Sequence, residues 1–412
     1  MSVDVRTRVD GEQAPVDPDR FFGVDLPAAL DEAAPLLAEA VSTLRLPDLV
    51  VVVGGVPWTL SAAEAGIEVR PGAPDGDDGL RLRVDAGQLS DLVDDQVTPM
   101  GWFSSGALDL DGRLERLLDW WLVLRGALDG VAPRVAQDMA FEDSEGRPLD
   151  LTRRFGWDDA DEEMDRFLGQ AGYLHVGSVF TEEEMAAVSR DMDRVAPSYV
   201  QGDGRSWWAR TSDGADRLVR MQGFDAMSPH AAALVADGRL ARLGALPGDG
   251  HQWGQLDSNA LEALVKPIGV VEGISDVPWH KDCSLGRHSY ECCGLTVGIS
   301  VTGADRTSGQ LRVVAGSHRA LVWPAFLRRD NALPVVDLPT QTGDVTVHLS
   351  CTLHMAQPPV DRERRVMYTG FRLPPLRPDA DTGADSEARR RLRAVRETAA
   401  TTVSQPPSSV RG

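Results

Sequence analysis

Apolar residues recur at helical spacing through 27-PAALDEAAPLLAEAVSTLRL-46, which predicts an amphipathic helix. The period then changes. The run 48-DLVVVVGGVPWTLSA-62 is strand-like, and 66-GIEVRPG-72 and 79-GLRLRVDA-86 alternate in steps of two, as half-buried strands do. Helical patterns return at 87-GQLSDLVDDQ-96 and 113-RLERLLDWWLVLRGALDG-130, with a short strand-like piece, 106-GALDLDG-112, between them. Helix, strands and helices in that order predict a compact α+β domain over 27–130, with Trp120 and Trp121 in its core.

Residues 1–26 are polar and carry Pro15 and Pro18, so they read as a flexible lead-in. The stretch 131–160 is irregular and acidic, and reads as a linker. From 161 to 375 a second domain is expected. It opens with helix, short strand and helix over 164–197, where Thr181 and Glu184 have capping-box spacing. The segment 201-QGDGRSWWARTSDG-214 reads as a Gly-rich loop. From about 260 to 374 the chain is strand-rich with frequent turn signals, which predicts a sandwich or barrel. A charged helical piece at 385–400 and a mobile tail complete 376–412.

Composition narrows the partners. A net charge of −21 repels nucleic-acid backbones and anionic membrane surfaces. The four cysteines, Cys283, Cys292, Cys293 and Cys351, form no Cys-x-x-Cys pair, so a zinc ribbon is not expected, and Cys292–Cys293 reads as strand burial. There is no secretory h-region and no apolar run of about 18 residues. The expectation is a cytoplasmic protein with reduced thiols and no membrane span.

The candidate chemistry sits in 278-PWHKDCSLG-286. On a strand, His280 and Asp282 point to one face and can present an imidazole and a carboxylate to one point. A third ligand is required, and His288, His318, His348 and His354 are the candidates downstream. Two histidines and one carboxylate make the facial arrangement of non-haem Fe(II) oxygenases. An arginine a short strand away would clamp a dicarboxylate.

Four ordered pieces of the second half resemble the phytanoyl-CoA dioxygenase family of Fe(II)/2-oxoglutarate oxygenases. They are 167-FLGQAGYLHVGSVFTEEEM-185, 279-WHKD-282, 309-GQLRVVAGSHR-319 and 343-GDVTVHLSCTLHMAQPPVDRERR-365. The resemblance implies a double-stranded β-helix (jelly roll, cupin-like) with flanking helices. It implies Fe(II), 2-oxoglutarate and O2, with His280, Asp282 and His354 as metal ligands. Arg365, eleven residues beyond His354, takes the place of the cosubstrate-binding arginine, with Arg364 on the other face. His348 falls at a filler position, His318 belongs to the Gly-Ser-His turn, and Trp279 packs behind the ligand strand. The chain departs from the pattern at Ala315, Cys283 and Ala356. With Ala356 lacking a hydroxyl, the second contact to the cosubstrate falls to Thr296 or Lys266. Retention of Asp282 implies hydroxylation or another oxidation, not halogenation.

The pieces 48–69, 79–93 and 106–121 resemble the sterol-carrier-protein-2 family. That resemblance implies a lipid-carrier-like apolar tunnel. With the first, it implies a small hydrophobic substrate such as a lipid, terpenoid, steroid or other secondary metabolite. A role in dimerisation or stability is the alternative for this domain. For the whole chain the alternatives are a hydrophobic-ligand-binding protein with a structural metal site, and a cupin-type metalloenzyme independent of 2-oxoglutarate.

Overall fold

A computed structural model describes residues 15–63, 66–74, 80–94, 97–99, 102–103, 106–130, 132–133, 139–253, 260–273, 279–282, 294–319 and 333–373. Cys283, His288, Cys292, Cys293 and the segment 385–400 lie outside these residues.

The N-terminal unit is a five-stranded sheet with helices. Its strands are β1 (Leu49–Val53), β2 (Val56–Ala63), β3 (Gly66–Pro71), β4 (Leu80–Val84) and β5 (Asp109–Asp111), in the order β3-β2-β1-β4-β5. Only the β1–β4 pairing is parallel. The all-valine centre of β1 suits a middle strand buried on both faces. Helix Leu26–Leu44 contributes Leu30 and Leu37 to the core, and helix Leu114–Asp129 contributes Leu118 and Trp120. Trp120 is fully buried, and its indole N–H donates to the Pro47 carbonyl at 2.7 Å. The lead-in read as flexible is partly ordered. Residues Pro18–Arg20 and Phe21–Asp25 are helical, because Phe21 and Phe22 are buried and Phe22 stacks on Trp58 at 5.5 Å.

The second unit begins earlier than the 161 expected from sequence. Within the stretch read as a linker, Phe155 is buried and bridges to Val176, and the Tyr173 hydroxyl donates to the Leu151 carbonyl at 2.6 Å. Five apolar side chains of that stretch pack on the unit at irregular spacing, which left no period to read: Phe141, Leu149, Leu151, Phe155 and Trp157.

Its strands are β6 (Tyr173–Val176), β7 (Ser206–Thr211), β8 (Asp216–Met221), β9 (Gln252–Trp253), β10 (Glu262–Lys266), β11 (Val270–Glu272), β12 (Gly294–Ser300), β13 (Leu311–Val314), β14 (Val335–Leu338), β15 (Val345–Leu349), β16 (His354–Ala356) and β17 (Arg364–Arg372). The large antiparallel sheet runs β11-β7-β8-β10-β17-β12-β15-β6, with β9 also paired to β17. A small sheet, β14-β13-β16, completes the two-sheet arrangement of a jelly roll. Trp207 and Trp208, read as loop residues, lie on β7, whose Gly-rich flanks hide a hairpin with β8. Helices Asp161–Ala171 and Glu182–Val195 share one buried cluster with Val297, Ile299 and Met367 of the large sheet. The capping box at Thr181 and Glu184 forms with both of its hydrogen bonds. Among the described residues, no helix is long and apolar enough to cross a membrane.

Register decides which residues look away from those helices. Thr296 of β12 pairs with His348 of β15 and with Gly370 of β17, so all three share a face. Counting in twos along β17 puts Arg364 on that face and Arg365 on the helix side.

Candidate metal centre

The two ligand segments are held by backbone. His280 and His354 exchange both N–H···O bonds at 2.9 Å, and their rings lie 4.2 Å apart between centroids. Asp282, two residues on, returns to the same side. Its Oδ1 is 3.3 Å from His280 Nε2 and 3.7 Å from His354 Nε2. One ligand atom from each of the three lies within 4.8 Å of the others.

Lys281 lies between the two ligands and faces the other way. Its ammonium donates to the Ser317 carbonyl at 2.6 Å. The Ser317 hydroxyl donates to the Val314 carbonyl at 2.6 Å and accepts the Leu353 N–H at 2.7 Å. The Gly-Ser-His turn therefore ties both ligand segments to β13. His318 is structural, as expected, with Nε2 2.9 Å from the Gly169 carbonyl. Trp279 packs behind the ligands against Val314, Leu333 and Leu353.

The donors are in the forms that a cation requires. His354 Nδ1 lies 2.8 Å from the Thr352 carbonyl, which fixes the proton there and leaves Nε2 free for a metal. Desolvation, then repulsion from His280 and His348, holds His354 well below the usual histidine value. Desolvation opposes the charge on Asp282, but the imidazoles of His354, His280 and His348 around it outweigh that cost. The carboxyl is held well below its usual range. An ionised carboxylate beside a neutral imidazole is a metal-ready pair. Two imidazole nitrogens and one carboxylate oxygen gathered at one point fit Fe(II).

The expected cosubstrate residues are placed differently. Arg365 points to helix Glu182–Val195. Its guanidinium bonds the Ser189 carbonyl at 3.1 Å and hydroxyl at 3.0 Å, and pairs with Asp193 at 2.8 Å and Glu363 at 2.9 Å. The arginine on the metal's face is Arg364. It is 3 % exposed, its Nη1 donates to the Gly309 carbonyl at 2.8 Å, and its Nε has no hydrogen-bond partner among the described residues. Lys266 is the buried cross-strand neighbour of Arg364. Thr296 reaches Asp282 instead, with its hydroxyl 3.2 Å from Oδ2. His348, read as packing, is buried beside the cluster, with its ring 4.3 Å from that of His354. The strand period of β12, β15 and β17 was the signal for Thr296, His348 and Arg364, since their pairings set the face.

The phytanoyl-CoA dioxygenase (PhyH) family model matches residues 168–366. This second unit is an Fe(II)/2-oxoglutarate-dependent oxygenase. The match covers just under half the chain and takes in every ligand of the cluster. The oxygenase unit uses Fe(II), 2-oxoglutarate and O2. No curated protein matches the sequence. Among solved structures, AviO1 from Streptomyces viridochromogenes Tue57 is 21 % identical with a TM-score of 0.43, covering 52 % of this chain and 96 % of its own. EctD from S. alaskensis with bound Fe is 20 % identical with a TM-score of 0.40, covering 57 % and 83 %. The epimerase SnoN from nogalamycin biosynthesis, in complex with Fe3+, alpha ketoglutarate and nogalamycin RO, is 20 % identical with a TM-score of 0.40, covering 52 % and 83 %. Likeness at this level leaves the assignment resting on the family match.

Proposed function

We propose that His280, Asp282 and His354 hold the iron, and that this centre hydroxylates a small hydrophobic molecule. The observation that carries the ligand set is Asp282 Oδ1 facing both Nε2 atoms at 3.3 and 3.7 Å. The iron and its cosubstrate supply oxidative decarboxylation of 2-oxoglutarate to succinate and CO2, coupled to oxidation of a substrate C–H bond.

Arg364, not Arg365, receives the cosubstrate's far carboxylate. A buried guanidinium with an unpartnered Nε is short of an acceptor, and a carboxylate supplies one. Lys266 adds a second buried positive charge from the neighbouring strand. With Ala356 on the facing small sheet, that cationic pair substitutes for a hydroxyl contact. Asp282 keeps the third coordination position filled by protein, which favours hydroxylation over halogenation.

The hydrophobic substrate class rests on the N-terminal unit, read as a carrier. A cavity of about 500 Å³ lies between helix Leu26–Leu44 and strands β2 and β3. Leu30, Leu37, Val41, Ala62 and Ile67 line it. With Ser42 and Arg45 also on the wall, that lining suits an amphipathic molecule with an apolar part and an anionic end.

The test is anaerobic. Fe(II) and 2-oxoglutarate added to the full chain should give the weak visible charge-transfer band of the chelate, and admitting O2 should yield succinate. Both should be lost in His280→Ala. A band and turnover that survive in that variant would overturn the ligand assignment.

A further inference from the structure

His348 has no partner that explains it. The side chain is 2 % exposed on β15, and among the described residues neither ring nitrogen has a hydrogen bond. Leaving a buried imidazole unsatisfied is destabilising. Asp282 lies beside it, with Oδ2 3.6 Å from His348 Nε2. The Thr296 hydroxyl, from the cross-strand partner of His348, reaches the same oxygen at 3.2 Å. The two oxygens of Asp282 thus have separate neighbours. Oδ1 faces His280 and His354, and Oδ2 faces Thr296 and His348.

We infer that His348 and Thr296 form a clamp on the far oxygen of Asp282, and that His348 is a positioning residue for the iron, not a fourth ligand. This rests on the ligand set proposed above. His348 approaches the oxygen that turns away from the other imidazoles. The cluster of ligand atoms within 4.8 Å of one another is formed by His280, Asp282 and His354. The terminal torsion of an aspartate is soft, so a small rotation brings Oδ2 within hydrogen-bond distance of Nε2. Two donors on Oδ2 then fix the carboxylate plane. Without them Oδ2 is free to swing in as a second oxygen on the metal and to take a position that the cosubstrate or O2 needs. The clamp holds Asp282 to one bond. It also gives His348 the partner it lacks.

The test is the affinity of the full, metal-free chain for Co(II), measured by titration calorimetry in the wild type, His348→Phe, His348→Gln and Thr296→Val. Phenylalanine keeps the bulk and removes the donor, whereas glutamine keeps an N–H donor and is a poor metal ligand. Supporting partners of metal ligands are worth about 10- to 100-fold in affinity. The expected result is a loss of about tenfold or more in His348→Phe and in Thr296→Val, with His348→Gln close to the wild type. Equal loss in His348→Phe and His348→Gln makes His348 a direct ligand and overturns the clamp. Unchanged affinity in His348→Phe makes it a filler and also overturns it. If His348→Phe does not fold, Thr296→Val decides alone, since retained affinity there removes half of the clamp. A wild type that binds no Co(II) overturns the ligand set itself, an outcome distinct from a wild type that binds well and variants that bind equally well.

Discussion

Arg364 and Arg365 are adjacent in sequence and face opposite sides of β17. Arg364 lies buried on the side of the metal cluster, bonded to Gly309, and Arg365 lies against Ser189 and Asp193 of the helical layer. Two arginines in a row leave the sequence ambiguous by one residue. Strand pairing resolves it, because a one-residue slip turns every side chain to the other face.

The pair can be told apart kinetically. Arg364→Gln should raise the KM for 2-oxoglutarate by about 10- to 100-fold, since a hydrogen bond to a charged group is worth about 1.5–3 kcal/mol. Arg365→Ala removes two ion pairs to exposed carboxylates, each worth at most about 1 kcal/mol, and two hydrogen bonds to Ser189, and should lower thermal stability while leaving that KM alone. Succinate formation across a range of 2-oxoglutarate concentrations separates them. The reverse pattern would restore Arg365 to the cosubstrate.

Ser317 and Lys281 should act on the metal without touching it. Ser317→Ala leaves the buried Leu353 N–H without an acceptor, one residue before His354. Lys281→Met keeps the stem and removes the ammonium that anchors the segment between His280 and Asp282. Each leaves a buried polar group unsatisfied, at about 1–3 kcal/mol. Both variants should melt earlier and bind Co(II) several-fold more weakly. Normal affinity in both would show that the turn supports the fold and leaves the ligand geometry alone.

His280, Asp282 and His354 were legible for a physical reason. His-x-Asp on an extended segment fixes the face by itself, and the ordered pieces around it bring His354 to the same cluster, which is the grouping the structure shows. Which of the two arginines shares the cluster's face is not set by counting from His354, because the irregular chain at 357–363 carries no strand phase. Only pairing with β10 and β12 sets which arginine looks inward. The same limit hid Thr296 and His348, whose shared oxygen on Asp282 comes from two strands far apart in sequence. In the N-terminal unit the periods were strong: helix Leu114–Asp129 and strands β3 and β4 fall where they were expected, and the run read as one strand over 48–62 is the antiparallel pair β1 and β2.

Acid should weaken the second unit through Asp344. Its carboxylate is fully buried and accepts from Arg154 at 2.6 and 3.1 Å, from His175 at 2.9 Å, and from the N–H groups of Ser178 and Gln341 at 2.9 Å. Desolvation works against the charge, but the His175 and Arg154 hydrogen bonds, with the backbone donors, hold the carboxyl well below its usual range. A depressed folded value means stability that is full above the unfolded value of about 4 and is lost as pH falls below it. Asp344→Asn should cost about 3–5 kcal/mol at pH 7, as breaking a buried pair does. The gap to the wild type should narrow from about pH 4 downward. Urea midpoints at pH 7, 5, 4 and 3 check this, and a gap constant across that range would remove Asp344 as the source.

Gly172 should prove irreplaceable for a steric reason that reaches the metal. Its φ is +86°, a left-handed conformation that a Cβ disfavours. A Cβ there would stand 2.3 Å from His318 Nδ1 and 2.6 Å from Thr352 Oγ1. The Thr352 hydroxyl donates to the Gly172 carbonyl at 2.6 Å, and the Thr352 carbonyl holds His354 Nδ1. Strain at Gly172 therefore displaces the residue that orients His354, a proposed metal ligand. Gly172→Ala should cost at least about 1–3 kcal/mol of stability for the backbone alone. It should also weaken Co(II) binding, through the loosened His354. The double variant Gly172→Ala/His318→Ala frees the nearer clash and leaves the Thr352 contact. It should recover part of the melting temperature while Co(II) affinity stays low. Recovery of both together would place the damage at His318 and disconnect Gly172 from the metal.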